Sequence, residues 1–197
     1  MATEVTPMAG GEYPLRYDVQ YPEQLSRLLI FVKWLLVIPH IIVLWALGYA
    51  VQVVQLIAFF AILFTRRYPR GLFDFVVNVY RWNQNATAYA ALLRDEYPPF
   101  SWDAGQYPVT FEIDYPEQLN RWLPLIKWLL AIPHYLVLLV LIVVAALVWI
   151  VAWFAILITG NFPRGMFDFV VGVIRWNQRV NAYVLFMRDE YPPFSLK

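Results

Sequence analysis

The sequence predicts an all-α integral membrane protein built from two tandem, pseudo-symmetric helical units, and three observations predict it. Each half carries an apolar segment of 24 residues: 41–64, apolar except for Gln52 and Gln55, which lack counterparts in the second copy, and 135–158, without a single charged or amide side chain. The two halves repeat: aligning 17–101 on 111–195 needs no gap and gives 47 identities in 85 positions, all at an offset of 94. Composition agrees, with 61% hydrophobic residues, 15% charged residues and a mean hydropathy of +0.53, where an average soluble domain is about 25% charged.

Each unit opens with a short strand. Leu15, Tyr17, Val19 and Tyr21 alternate with Arg16, Asp18 and Gln20, and Val109, Phe111, Ile113 and Tyr115 alternate with Thr110, Glu112 and Asp114. Period two with β-branched and aromatic residues is a strand signal. The two strands are expected to pair with each other, because a lone strand leaves its backbone unpaired. Residues 24–38 then read as an interfacial helix, with a narrow polar stripe and Trp34, repeated with Trp128. Pro39 predicts a kink.

The apolar segment follows as a long helix. Twenty-four residues at 1.5 Å each make about 36 Å, enough for a hydrocarbon core of ~30 Å. After a loop at 65–71 comes a mixed amphipathic helix, 72–93, whose Asp74, Asn78, Arg81 and Asn85 form one stripe. The second copy keeps Asp168 and Arg175, has Gly172 for Asn78, and ends the stripe with Arg179. Seven residues separate Asp from Arg, about 10.5 Å of rise, so each needs a partner outside its own stripe. The implied organisation is a polar tail 1–14, unit 1 at 15–101, a linker 102–108, and unit 2 at 109–197. Paired strands put both units' starts on one side of the bilayer, which favours an even number of crossings per unit. Arginines and lysines flank both ends of the long helix and do not orient it.

The residues exclude more functions than they suggest. There is no cysteine, so disulfides, thiolate metal sites and iron–sulfur clusters are out. Net charge is +1, which gives no case for a nucleic-acid partner. Residues 1–11 lack the apolar core of a cleavable signal, so the first long helix is expected to direct insertion. No catalytic residue, metal-ligand cluster, phosphate loop or nucleophile–base pair is expected, and no cofactor. Three groups remain as candidates. His40 and His134, one per unit, could hold a haem between helices, against the plainer reading of hydrogen-bonded interfacial histidines. Asp74, Arg81, Asp168 and Arg175 could line an ion path, against a structural role tying the units together. Trp34, Trp82, Trp128 and Trp176 suit interfacial anchors. The expected function is that of a non-catalytic scaffold or accessory subunit, its partners membrane lipids and other membrane subunits or a second copy. The rivals are a small channel or transporter working between the units, and a haem-bearing electron-transfer subunit.

The succession Tyr-Pro-Glu-Gln-Leu, Lys-Trp-Leu-Leu, Ile-Pro-His, Phe-Ala-Ile-Leu, Pro-Arg-Gly-(Leu/Met)-Phe-Asp-Phe, Arg-Trp-Asn-Gln and Tyr-Pro-Pro-Phe resembles a prokaryotic membrane family, domain of unknown function 4389. The resemblance covers both units, nearly everything after residue 14. It implies a bacterial or archaeal cytoplasmic-membrane protein, and the apolar segments themselves predict a multi-pass one. It implies no activity and no site residue.

Overall fold

A computed structural model describes residues 13–197. The expected tail, 1–14, lies almost wholly outside them. Strands β1 (Leu15–Val19) and β2 (Val109–Ile113) pair antiparallel, as expected, with Tyr17 opposite Phe111. Those two residues are each other's repeat mates, so the pseudo-two-fold axis passes between them, perpendicular to the sheet. Leu15, Tyr17, Val19, Val109 and Phe111 are buried on one face, while Asp18, Thr110 and Glu112 are exposed on the other. The small sheet is the one departure from an all-helical fold.

The expected helix at 24–38 is not continuous. Residues 22–26 are irregular, a 3₁₀ turn covers Leu29–Phe31, and α1 is only Lys33–Leu36. The reason is competition for the backbone. The Leu25 amide donates to the Gly160 carbonyl of the other unit, and the Ser26 amide donates to the Asp95 carboxylate. Pro39 acts as expected, but as a break: it sits in the first turn of α2 (Ile38–Thr65), with Val37 as the joint to α1. A proline is tolerated there because first-turn amides have no intrahelical acceptor.

Helix α2 ends at Arg66 in the left-handed region, φ 59°. Its counterpart ends at Gly160, φ 76°, the residue for which that conformation carries no steric cost. The chain turns back as α3 (Arg70–Ala90), starting after Pro69. Unit 2 repeats the order as α4 (Leu123–Leu130), α5 (Ile132–Thr159) and α6 (Arg164–Val184).

Each α2/α3 and α5/α6 pair is an antiparallel hairpin. Val37 and Leu44 pack with Trp82, Ala86 and Tyr89 at one end. The opposite side of α3 meets the sheet: Tyr80 stacks on Phe111, and Phe73 meets Tyr115 edge-on. The order of layers is therefore sheet, then α3 with α6, then α2 with α5. Only His40, Leu44, Val51, Val54, Ala58 and Ile62 of α2 are buried, and only His134, Leu138, Ala152 and Ile156 of α5. Both are long and apolar enough to cross a membrane.

The two units interlock. Helix α3 packs on β2, and α6 on β1. The Tyr21 hydroxyl donates to the Phe162 carbonyl and Tyr115 to that of Tyr68. Arg164 lies over the Tyr21 ring, and Arg70 over that of Tyr115. Each N-terminal arm is thus seated on the helical turn of the other unit.

Candidate functional site

The histidines sit in two matching aromatic boxes. The Trp82 indole Nε1 donates to His40 Nδ1 at 2.9 Å, and Trp176 to His134 Nδ1 at 3.1 Å. Phe100 stacks on His40 with centroids 4.0 Å apart, Phe194 on His134 at 4.1 Å, and Tyr97 and Tyr191 close the sides. An indole N–H only donates, so each Nδ1 is the acceptor and the ring proton resides on Nε2. Both histidines are fully buried, and neither Nε2 has a partner among the described residues. Every ring around His40 belongs to unit 1 and every ring around His134 to unit 2. The structure does not bring the two histidines to one shared site.

The tryptophans divide. Trp34 and Trp128 are 65% and 61% exposed and remain candidates for surface anchors; Trp82 and Trp176, at 6% and 5%, are buried donors to histidine. Tyr-Pro-Pro-Phe reads in sequence as a terminator. In the structure it is also the lid of the box.

Two buried lysines were not among the sequence candidates. Lys33 Nζ bonds the Arg94 carbonyl at 2.6 Å, pairs with Asp95 at 2.7 Å and lies 5.0 Å above the Tyr89 ring. Lys127 repeats this with Arg188, Asp189 and Tyr183 at 2.7, 2.8 and 4.8 Å. Burial pushes the Lys33 ammonium below the ordinary lysine range, and the Asp95 partner raises it part of the way back. The signal was present in sequence as Lys-Trp-Leu-Leu and Arg-Asp-Glu in both copies, but nothing local shows that residues 62 apart meet.

The polar stripe resolves into separate structural jobs. Asp74 pairs with Arg70 one turn earlier, and Asp168 with Arg164. Arg81 bonds Asn78 Oδ1 at 2.8 Å and the carbonyls of Trp102 and Phe111 at 3.0 and 3.3 Å. Arg175 bonds the carbonyls of Tyr17 and Leu196 at 2.7 and 3.0 Å and the Asp18 carboxylate at 3.0 Å. The Tyr17 and Phe111 carbonyls point out of the sheet edges, because these residues are a non-hydrogen-bonded pair. The arginines cap those edges and clamp the chain that follows each helix.

Asn85 and Gln84 are 2% and 1% exposed, with one side-chain oxygen each unpartnered among the described residues. Arg179, at the Asn85 position, lies over the Tyr13 ring. Among the described residues no group of three or more histidine and carboxylate side chains converges.

No curated protein and no solved structure matches this chain. The family described as "Domain of unknown function (DUF4389)" matches residues 27–101 and again 122–195. Those two matches hold the histidine boxes, the lysine–aspartate pairs and all six helices, and leave both strands and both Tyr-Pro-Glu-Gln-Leu segments outside. With well over half its length matched in two successive copies, the chain belongs to the DUF4389 family, as a tandem pair of its domains.

Proposed function

We propose that this is a non-catalytic membrane protein of a bacterial or archaeal cytoplasmic membrane, acting as a scaffold or accessory subunit through its apolar layer. The observation that carries this is the division of labour among its residues. Lys33, Lys127, Arg70, Arg81, Arg164 and Arg175 hold the fold's own carbonyls and carboxylates, while α2 and α5 leave most of their apolar surface outward. Ile42, Trp45, Leu56 and Phe64 of α2 are each more than 60% exposed, as are Leu136, Leu139, Val140 and Ile158 of α5. Apolar surface on that scale marks a membrane or partner contact.

The layering also bears on how the protein meets the bilayer. Strand β2 lies on α3, with Phe111 against Tyr80 and Arg81, and β1 on α6, with the Tyr17 carbonyl at Arg175, in each case beside the middle of the helix. A helix α2 threaded through the bilayer would carry Asp18, Glu112 and Asp114 to hydrocarbon depth, at about 2.5–3.5 kcal/mol for each charge near the centre. Laying the α2/α5 layer into one leaflet keeps all of them in water. We therefore favour immersion of one face over the several crossings that helix length alone suggests.

The chain has no cysteine, so single cysteines report cleanly. Glu96→Cys stands near the start of α2 and Arg67→Cys just past its end. In sealed vesicles a membrane-impermeant maleimide is expected to label both from the same side. Labelling from opposite sides means that α2 crosses. Release of the protein by alkaline carbonate removes the membrane reading altogether. The scaffold role is tested by extracting tagged protein in mild detergent and identifying what co-elutes. A stoichiometric membrane-protein partner is expected, and a lone monomer overturns the role.

A further inference from the structure

The two units are alike in their flanks but not in the middle of their long helices. Unit 1 has Gly48, Gln52 and Gln55 where unit 2 has Ile142, Ala146 and Trp149. A space lies beside these residues of unit 1. A cavity of about 710 Å³ runs along α2, walled by Trp45, Tyr49, Ala86 and, from the other unit, Trp149. It shares Leu44, Gly48, Gln52 and Asn83 with a second cavity of about 480 Å³, which reaches between the units to Gln55, Asn177, Gln178 and Asn181. A Cβ placed on Gly48 would meet nothing within 4 Å, so the glycine lies beside open space.

The inner cavity is polar but uncharged. No Asp, Glu, Lys or Arg lines either space. Gln178 is 8% exposed and its Oε1 has no partner among the described residues; Gln55 Oε1 is likewise buried and unpartnered. The amide nitrogens nearby are partly occupied: Gln55 Nε2 donates to the Tyr68 hydroxyl and Asn181 Nδ2 to Asn177. A buried carbonyl oxygen without a donor costs roughly 1–3 kcal/mol; both glutamines line this cavity, so a donor seated there would relieve that cost after a small side-chain adjustment.

We infer that unit 1 holds a binding site for an uncharged amphiphile, its hydrocarbon body along Trp45, Tyr49 and Trp149 and its head a hydroxyl donating to Gln178, or a primary amide donating to Gln178 and Gln55. The mouth opens beside Trp45 and Tyr49, 69% and 53% exposed on the apolar layer. A charged head is disfavoured because nothing in the cavity would neutralise it. The inference goes beyond the scaffold role and takes from it only the bilayer as the source of the ligand. In unit 2 the places of Gly48 and Gln55 are taken by the bulkier Ile142 and Trp149.

The test uses the full chain in detergent, so it depends neither on a protein partner nor on how the helices lie in a bilayer. Bromine quenches tryptophan on contact, and two tryptophans line the groove. Bromoundecanol is expected to quench a fraction of the emission saturably, with a half-point about 10-fold below that of bromoundecanoate. Gly48→Ile copies unit 2 and is expected to abolish the saturable part with an unchanged circular dichroism spectrum. Gln178→Leu is expected to weaken the alcohol by about 5-fold and to leave bromoundecane unchanged. Equal saturable quenching in a folded Gly48→Ile variant overturns the site, as does a carboxylate that binds as tightly as the alcohol. Should Gly48→Ile fail to fold, unaltered alcohol binding in Gln178→Leu overturns it instead.

Discussion

Asp95→Ala is expected to lower the unfolding free energy by about 3–5 kcal/mol, the range for removing one partner of a buried ion pair. Lys33 is left at 1% exposure with its charge opposed by the Arg94 carbonyl, the Tyr89 ring and the more distant Glu96 carboxylate. The Ser26 amide loses its acceptor as well, so the irregular segment before α1 loosens. Replacing both partners, Lys33→Met with Asp95→Asn, is expected to recover most of the loss, because Asn still accepts from Ser26 and no buried charge remains.

The pH dependence carries a sign. Burial holds the Lys33 pKa below its unfolded value, so between the two the unfolded chain binds more protons than the folded one. Stability therefore rises with pH through that alkaline window, and Asp95→Ala widens the window downward. Denaturant unfolding of the detergent-solubilised protein, followed by circular dichroism at several pH values, measures both effects. A loss under 1 kcal/mol would show that water reaches Lys33.

Arg175→Ala is expected to cost about 2–4 kcal/mol, since hydrogen bonds to charged groups contribute roughly 1.5–3 kcal/mol each and are not additive. One guanidinium holds the edge of β1, the Asp18 carboxylate and the closing strap at Leu196 together. The strap is already pressed close: a Cβ on Gly172 would lie 2.9 Å from Leu196. Freeing it draws Phe194 off His134 and wets Trp176, so the tryptophan emission should shift to the red in the native state, before unfolding. Arg175→Lys is expected to fall between the wild type and alanine, because one ammonium nitrogen cannot span the three separated acceptors that Nε, Nη1 and Nη2 reach. An unshifted spectrum and a loss below 0.5 kcal/mol would mean that solvent already satisfies the edge.

The repeat, the long helices, the mixed helices and the strand pairing were legible in the sequence because each rests on local periodicity or on self-comparison. Residues 24–28 read as helix for the same reason, and that reading failed because an amide at Leu25 found a carbonyl 135 residues away. Trp82 looked like an anchor beside Arg81 because interfacial and buried tryptophans share the same neighbours in sequence; only the hairpin shows that it points at His40. The lysine–aspartate pairs escaped because charged residues near an apolar segment ordinarily read as solvated flanks. Gln52 and Gln55 stood out as lacking counterparts in unit 2, but the cavity beside them depends on Gly48 and on α6, which no single segment discloses.

The seating of each arm on the opposite unit sets the kinetic order of assembly. Were the units on separate chains, neither could complete its fold without capturing the other's arm, and stability would rise with protein concentration. Residues 102–108 turn that encounter into an intramolecular one, at an effective concentration in the millimolar range for a short connection. A dilute copy in a membrane then folds as readily as a crowded one. A chain carrying a single unit would have to lend its arm to a neighbour and borrow one in return.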